Sequence, residues 1–151
     1  MQKRSFGQYA RHIVLYWLPL ILWMAAIYWL SDQPHLPHPA RKLGLSDYLF
    51  DYSAHAFTFG FLAILAWRVI GVRPSDLPNV FSVSPALSTG AFAALYALCD
   101  EIHQVFVPGR WATLRDWLAD VAGILIVVGL LALWRRRRLT ANVLRRRPPQ
   151  L

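Results

Sequence analysis

The chain has 151 residues, of which 56% are hydrophobic and 16% charged, and its formal net charge is +8. An average soluble domain is about 45–50% apolar and about 25% charged, so this composition indicates a membrane protein and excludes disorder for most of the length. The single cysteine, Cys99, excludes an internal disulfide framework and any multi-cysteine metal site.

The basic residues are concentrated at the two ends of the chain. Ten of the 16 lie in segments 1–11 and 135–151, which leaves six basic against eight acidic residues between them. Because basic flanks beside apolar runs interact with anionic lipid, both segments are predicted to be cytoplasmic anchors, with the lipid bilayer as the first expected partner. The basic residues form no continuous stripe, so we expect no nucleic-acid partner.

Four apolar runs follow one another, over residues 13–30, 54–72, 85–107 and 117–134. If each run forms a helix, its length is close to the thickness of the hydrocarbon core of a bilayer. We therefore predict an all-α integral membrane bundle of four transmembrane helices, formed by residues 12–134. It lies between the basic flank 1–11 and an arginine-rich tail, 135–151. Residues 31–50 and 73–84 contain prolines and are predicted to be connecting loops.

The distribution of charge also predicts the orientation. An even number of spans places both termini on one side, and the segments on that side hold twelve basic residues against four on the other. The positive-inside rule makes that side cytoplasmic. Seven of the eight acids, all but Asp76, then lie on the extracytoplasmic side, most of them at helix ends. We expect a polar site at the extracytoplasmic side of the membrane.

The end of the third run carries Asp100, Glu101, His103 and Gln104. Helical spacing places Asp100, His103 and Gln104 on one face, with Glu101 turned about 100° away. Two carboxylates at a helix C-terminus oppose the helix dipole, so a cation, a proton or a basic side chain must compensate them. These residues are predicted to form part of a functional site.

Directly after this run, Pro108 and Gly109 suit the centre of a type II turn, which would end the helix and direct Arg110 back towards it. Arg110 is thus a candidate for holding an anionic group. The structural alternative is a solvated helix end in which Arg110 forms a salt bridge with one of the acids.

Asp116, Asp120 and Gly123 form a stripe at the start of the fourth run. Asp116 has two interpretations, because Thr113 three residues before it also fits a capping box. Asp120 lies one turn deeper, where a carboxylate is costly and therefore predicted to be functional, and Gly123 would let another helix approach closely. His55, in the first turn of the second run, is either a site residue or a packed polar residue.

These residues, in their order, resemble the VanZ-like family of bacterial membrane proteins. The resemblance covers about residues 20–130 and is most specific in the block from Asp100 to Arg110; it also includes the run exit Leu30-Ser31-Asp32-Gln33-Pro34. It implies a small multi-pass protein of the bacterial cytoplasmic (inner) membrane. The family takes its name from a member linked to resistance to the glycopeptide teicoplanin, and the resemblance implies no established reaction.

Two functions remain open at this point. The first is the binding of a lipid-linked or anionic envelope ligand in cell-envelope or glycopeptide-related processes, and the second is an enzyme embedded in the membrane that acts on such a ligand. The candidates for catalysis are Glu101, His103 and Asp100, and those for binding are His55, Gln104, Arg110, Asp116 and Asp120. The same acids and histidines are ligand types for a divalent metal, so the residues alone leave the cofactor open.

Overall fold

The computed structural model describes residues 6–34, 47–70 and 84–145, and every regular element in these ranges is a helix. A π-helical turn, Ile13–Trp17, joins the first two helices into one continuous segment. The helices are α1 (Phe6–His12), α2 (Leu18–Ser31), α3 (Asp47–Ile70), α4 (Pro85–Val105) and α5 (Leu114–Arg145). The predicted all-helical class is confirmed for this part of the chain.

Two helices extend beyond their predicted bounds. The expected loop 31–50 is wrong for residues 47–50, where α3 already begins, because the helix-breaking prolines and Gly44 lie upstream of this stretch. α5 continues through Arg135 to Arg145, since this segment has neither proline nor glycine and is rich in residues that favour helices. Residues 35–46 and 73–83 of the predicted loops, together with residues 71–72 of the second apolar run, lie outside the described residues.

Within residues 6–34, 47–70 and 84–145, three helical segments are long and apolar enough to cross a membrane. They are Ala10–Ser31, Tyr48–Ile70 and Leu114–Asn142. The 21-residue helix α4 is not among them; it carries the two carboxylates of Asp100 and Glu101 near its end.

The π-helical turn has a local cause. Pro19 has no N–H to donate to the carbonyl of Leu15, four residues earlier, and its ring would crowd that carbonyl in a regular helix. The turn separates the two groups, and the guanidinium of Arg68 in α3 donates to the Leu15 carbonyl at 3.1 Å. Arg68 also lies over the ring of Tyr16. One arginine thus supplies the missing donor and joins α3 to the first helical segment.

α3 is the central helix of the bundle: it packs most extensively against α5 and also contacts α4 and α2. The buried apolar core lies between these helices and consists of Leu20, Ile27, Phe59, Leu62, Ala63, Leu65, Ala66, Ala93, Ala97, Ile124 and Val128. Many of these side chains are small, so the helices can approach closely. Two further hydrogen bonds hold α2 in place, from Trp23 to the Thr58 carbonyl and from Tyr96 to the Met24 carbonyl.

The closest approach in the bundle is between α3 and α5 at Gly123. A Cβ placed on Gly123 would lie 2.7 Å from the Cα of Ala56 and would also collide with the Ala56 carbonyl. Gly60, one turn further along α3, faces the backbone of Gly123 in turn. The expectation that Gly123 permits close helix approach is confirmed, and only glycine fits there.

We predict that Gly123→Ala separates α3 from α5 and lowers stability by about 1–3 kcal/mol or more, because the new methyl group meets backbone that cannot give way. The measurement is thermal unfolding of the purified protein in detergent. Gly129→Ala is the matched control, since a Cβ on Gly129 has nothing within 4 Å. Equal melting temperatures for the two variants would contradict the close-contact argument.

Candidate functional site

Polar side chains are buried at one end of the bundle, where α2 and α4 end and where α3 and α5 begin. Of the buried polar side chains in the described residues, only Thr89 lies elsewhere. The others are Ser31, Asp100, Glu101, Gln104 and Asp120. Burying so many polar groups in an apolar bundle is costly unless they bind one another or a ligand.

The first cluster joins three helices. The Nδ1 atom of His55 in α3 lies 2.9 Å from Oδ1 of Asp120 in α5, and Asp120 is 0% exposed. Glu101 of α4, 7% exposed, completes the group, since one potential ligand atom from each residue lies within 4.8 Å of the other two. We refer to His55, Glu101 and Asp120 as the triad cluster.

The second cluster connects α2 with α4. The hydroxyl of Ser31 donates to Oδ2 of Asp100 at 2.8 Å, and the amide of Gln104 donates to the same oxygen at 3.0 Å. The predicted shared face of Asp100 and Gln104 is confirmed by this bond. Asp100 therefore has its charge stabilised by two neutral donors.

The separation of Asp100 from Glu101 follows from helix geometry. Neighbouring residues in a helix point about 100° apart, and α4 is packed between α2 and α3 on one side and α5 on another. Asp100 consequently meets Ser31 of α2, while Oε2 of Glu101 accepts from the backbone N–H of Thr113 at 3.1 Å, just before α5.

The turn after α4 has the predicted form. Gly109 has a φ of 83°, and the N–H of Arg110 donates to the carbonyl of Val107 at 3.1 Å. A type II turn requires this positive φ, which glycine adopts without strain. The turn brings Arg110 back to the bundle, where its Nη2 donates to the carbonyl of Leu30 at 2.7 Å. Arg110 thus binds the end of α2, where helix carbonyls lack partners, and the salt bridge to an acid that was the structural alternative is not formed among the described residues.

Two candidate residues lie apart from the clusters. His103 is at the rim, with its Nε2 3.5 Å from Oδ1 of the exposed Asp32 and its ring 4.6 Å from that of Tyr28. Thr113 caps α5: the N–H of Asp116 donates to its hydroxyl oxygen at 3.2 Å, and that hydroxyl donates to the Asp116 carboxylate at 2.8 Å. Of the two interpretations of Asp116, the structural one at the helix start is the one with contacts in the structure.

A cavity of about 180 Å³ opens beside the clusters. The polar residues in its lining are Ser31, His55, Thr58, Asp100, Gln104 and Arg110. The Nε atom of Arg110 is buried and has no hydrogen-bond partner among the described residues. A guanidinium has five N–H donors, so Arg110 keeps donor capacity beyond its bond to Leu30.

Sequence reasoning missed Ser31 as a site residue. The sequence feature that could have identified it is the segment Leu30-Ser31-Asp32-Gln33-Pro34 at the end of the first apolar run. That segment contributed to the family resemblance, but no role was assigned to the serine. A serine at the end of an apolar span is unremarkable by itself, and only the packing of α2 on α4 shows that it meets Asp100.

Comparison with known proteins identifies one family. A family model described as VanZ/LLP1 matches residues 14–135, which is most of the chain. No curated protein and no solved structure matches the chain.

We predict that Ser31→Ala destabilises the protein by about 1–3 kcal/mol, because Asp100 loses a donor in a buried position. Ser53→Ala is the control: its hydroxyl is exposed and donates only to the Leu49 carbonyl one turn earlier in α3. Thermal unfolding of both variants in the same detergent gives the comparison. An unchanged melting temperature for Ser31→Ala would show that its bond to Asp100 contributes no stability.

Proposed function

The chain belongs to the VanZ/LLP1 family, and on that premise we propose that it is a multi-pass protein of the bacterial cytoplasmic membrane that binds the anionic head group of a lipid-linked ligand. The site would be the polar end of the bundle, facing the extracytoplasmic side. Its role would lie in cell-envelope or glycopeptide-related processes.

The orientation is supported by charge. α4 is proposed as the fourth span, which is consistent with its length of 21 residues and its packing against α3 and α5. With four spans, residues 12–134 form the membrane domain, and the basic segments 1–11 and 135–151 lie together in the cytoplasm. The polar end, formed by the C-termini of α2 and α4, then lies on the opposite side.

The observation that carries the proposal is Arg110 at the cavity. It is the guanidinium among the lining residues, and its buried Nε has no partner among the described residues. Charge-assisted hydrogen bonds from a guanidinium to a phosphate are strong and directional. The hydroxyl of Ser31 and the amide of Gln104 already satisfy Asp100, the acid in the cavity wall, which reduces its repulsion of an anion.

An apolar groove supports a ligand that is attached to lipid. It lies between α4 and α5, has a volume of about 340 Å³ and reaches Glu101. Its wall is formed mainly by Leu98, Ile102, Val105, Leu114 and Trp117. A hydrocarbon chain fits this lining, and the head group would remain at the polar end of the bundle.

A membrane-embedded enzyme is the second candidate, and the triad cluster is the observation that favours it. Asp120 orients the imidazole of His55 at 2.9 Å, with Glu101 alongside. A histidine held by a carboxylate is suited to proton transfer. Conversion of a bound ligand, as opposed to its recovery unchanged, would establish this second function.

The orientation predicts the outcome of reporter fusions. Fusions after residues 45 and 110 should report the extracytoplasmic side, and fusions after residues 78 and 150 the cytoplasm. Paired reporters active on opposite sides of the membrane measure this directly. A cytoplasmic signal at residue 110 would overturn the proposed orientation of the site.

The anion site predicts that purified protein binds farnesyl phosphate, used as a probe, and that Arg110→Gln weakens binding by about tenfold. A lost hydrogen bond to a charged group costs about 1.5–3 kcal/mol, and 1.4 kcal/mol corresponds to a factor of ten. Titration calorimetry in detergent gives the affinities of both proteins, and release of inorganic phosphate reports turnover.

Three controls make the result specific. Arg115→Gln removes the same charge from an exposed arginine at the same end of the bundle and should leave the affinity unchanged. Inorganic phosphate tests a free anion, and farnesol tests the chain alone. Equal losses in the two arginine variants, or farnesol binding as tightly as farnesyl phosphate, would contradict an anion site at Arg110.

A further inference from the structure

We propose that the triad cluster, His55 with Glu101 and Asp120, is a binding site for a divalent transition-metal ion. The three residues come from three different helices, so such an ion would also join α3, α4 and α5 at the polar end. The inference goes beyond the binding of an anionic ligand and stands on different residues from Arg110.

The spacing of the ligand atoms fits an ion. The distance between His55 Nδ1 and Asp120 Oδ1 is 2.9 Å, and the three potential ligand atoms all lie within 4.8 Å of one another. Metal–ligand bonds of about 2.0–2.2 Å place the ligands of a tetrahedral ion about 3.4 Å apart. The three atoms are therefore near the spacing of a tetrahedral site, and binding an ion would draw the more distant ones together.

Unsatisfied oxygens are the independent sign of a ligand. Glu101 Oε1 and Asp120 Oδ2 are buried and have no hydrogen-bond partner among the described residues. The two residues as a whole are only 7% and 0% exposed. Buried polar atoms almost always have a partner, and a bound ion is one of the recognised exceptions. Two such atoms in neighbouring carboxylates are expensive in an apolar bundle unless a proton or a cation neutralises the charge, and a bound ion would also supply both oxygens with a partner.

The donor set selects the class of metal. One imidazole nitrogen and two carboxylates suit Zn²⁺ or Mn²⁺ better than Ca²⁺, which takes six to eight oxygen ligands. Three protein ligands leave at least one coordination position for water or another ligand. His55 lines the cavity, and its side chain is 26% exposed, which provides a route of entry.

The structural alternative is a hydrogen-bonded pair, in which Asp120 and His55 only hold α5 to α3. That pair gives Oδ1 of Asp120 a hydrogen-bond partner, but it leaves Oδ2 of Asp120 and Oε1 of Glu101 buried without one. The two interpretations differ in one measurable property, which is whether the folded protein retains a metal ion.

The test uses the full chain, purified in detergent without an affinity tag, stripped with a chelator and then incubated with Zn²⁺ or Mn²⁺. After removal of free metal, elemental analysis should find about one ion per chain. Glu101→Gln and Asp120→Asn should each weaken binding by about tenfold or more. The wild-type protein should melt at a higher temperature with metal, and the variants should lose this shift.

Asp32→Asn is the matched control, because it removes the same charge from an exposed carboxylate at the same end of the bundle and should bind metal as the wild type does. Absence of both metals from the folded wild type would overturn the inference, as would equal binding in all variants or equal loss in Asp32→Asn. If Asp120→Asn fails to fold, Glu101→Gln decides, since Glu101 is outside the His55–Asp120 bond. The metal-binding experiment contains no anionic ligand, so its outcome does not depend on the outcome of the farnesyl phosphate experiment with Arg110→Gln.

Discussion

The close approach of α3 and α5 determines how the polar end of this bundle is built. At Gly123 the two backbones meet with no room for a side chain. His55 is adjacent to Ala56, the residue that Gly123 contacts, and Asp120 lies almost one turn before Gly123. The backbone contact therefore fixes the separation of the imidazole and the carboxylate, which are within hydrogen-bond distance. A longer distance between the helices would leave the 0% exposed carboxylate of Asp120 without that partner.

Around this contact, the other helices contribute polar groups to a site that none of them could form alone. α4 supplies one acid to each of the two clusters, and α2 supplies the hydroxyl of Ser31. The turn at Gly109 returns Arg110 to the end of α2. The far end of the bundle is organised by a different interaction, between Arg68 and the carbonyl that Pro19 leaves without its usual donor. Both ends thus depend on side chains that satisfy backbone or buried polar groups in an apolar environment.

Local physics accounts for what the sequence could predict. Apolar run length located the helices, the Pro108–Gly109 pair located the turn, and the cost of a carboxylate in a span singled out Asp120. Partner choice could not be predicted, because it depends on how the helices rotate against each other. Helical spacing thus grouped His103 with Asp100, whereas the structure places His103 at the rim beside Asp32. Ser31 was overlooked for the same reason, since its partner is 69 residues away.

The adjacency of Asp100 and Glu101 restricts how the length of α4 can vary. One carboxylate faces α2 and the other faces the start of α5, so their positions depend on the rotational phase of the helix. A single-residue insertion or deletion within the first part of α4 would rotate its end by about 100°, so that only one of these two directions would still carry an acid. Length changes before Ser84 would leave that phase intact. A length change is therefore expected to disturb the polar end less when it lies before α4 than when it lies within it.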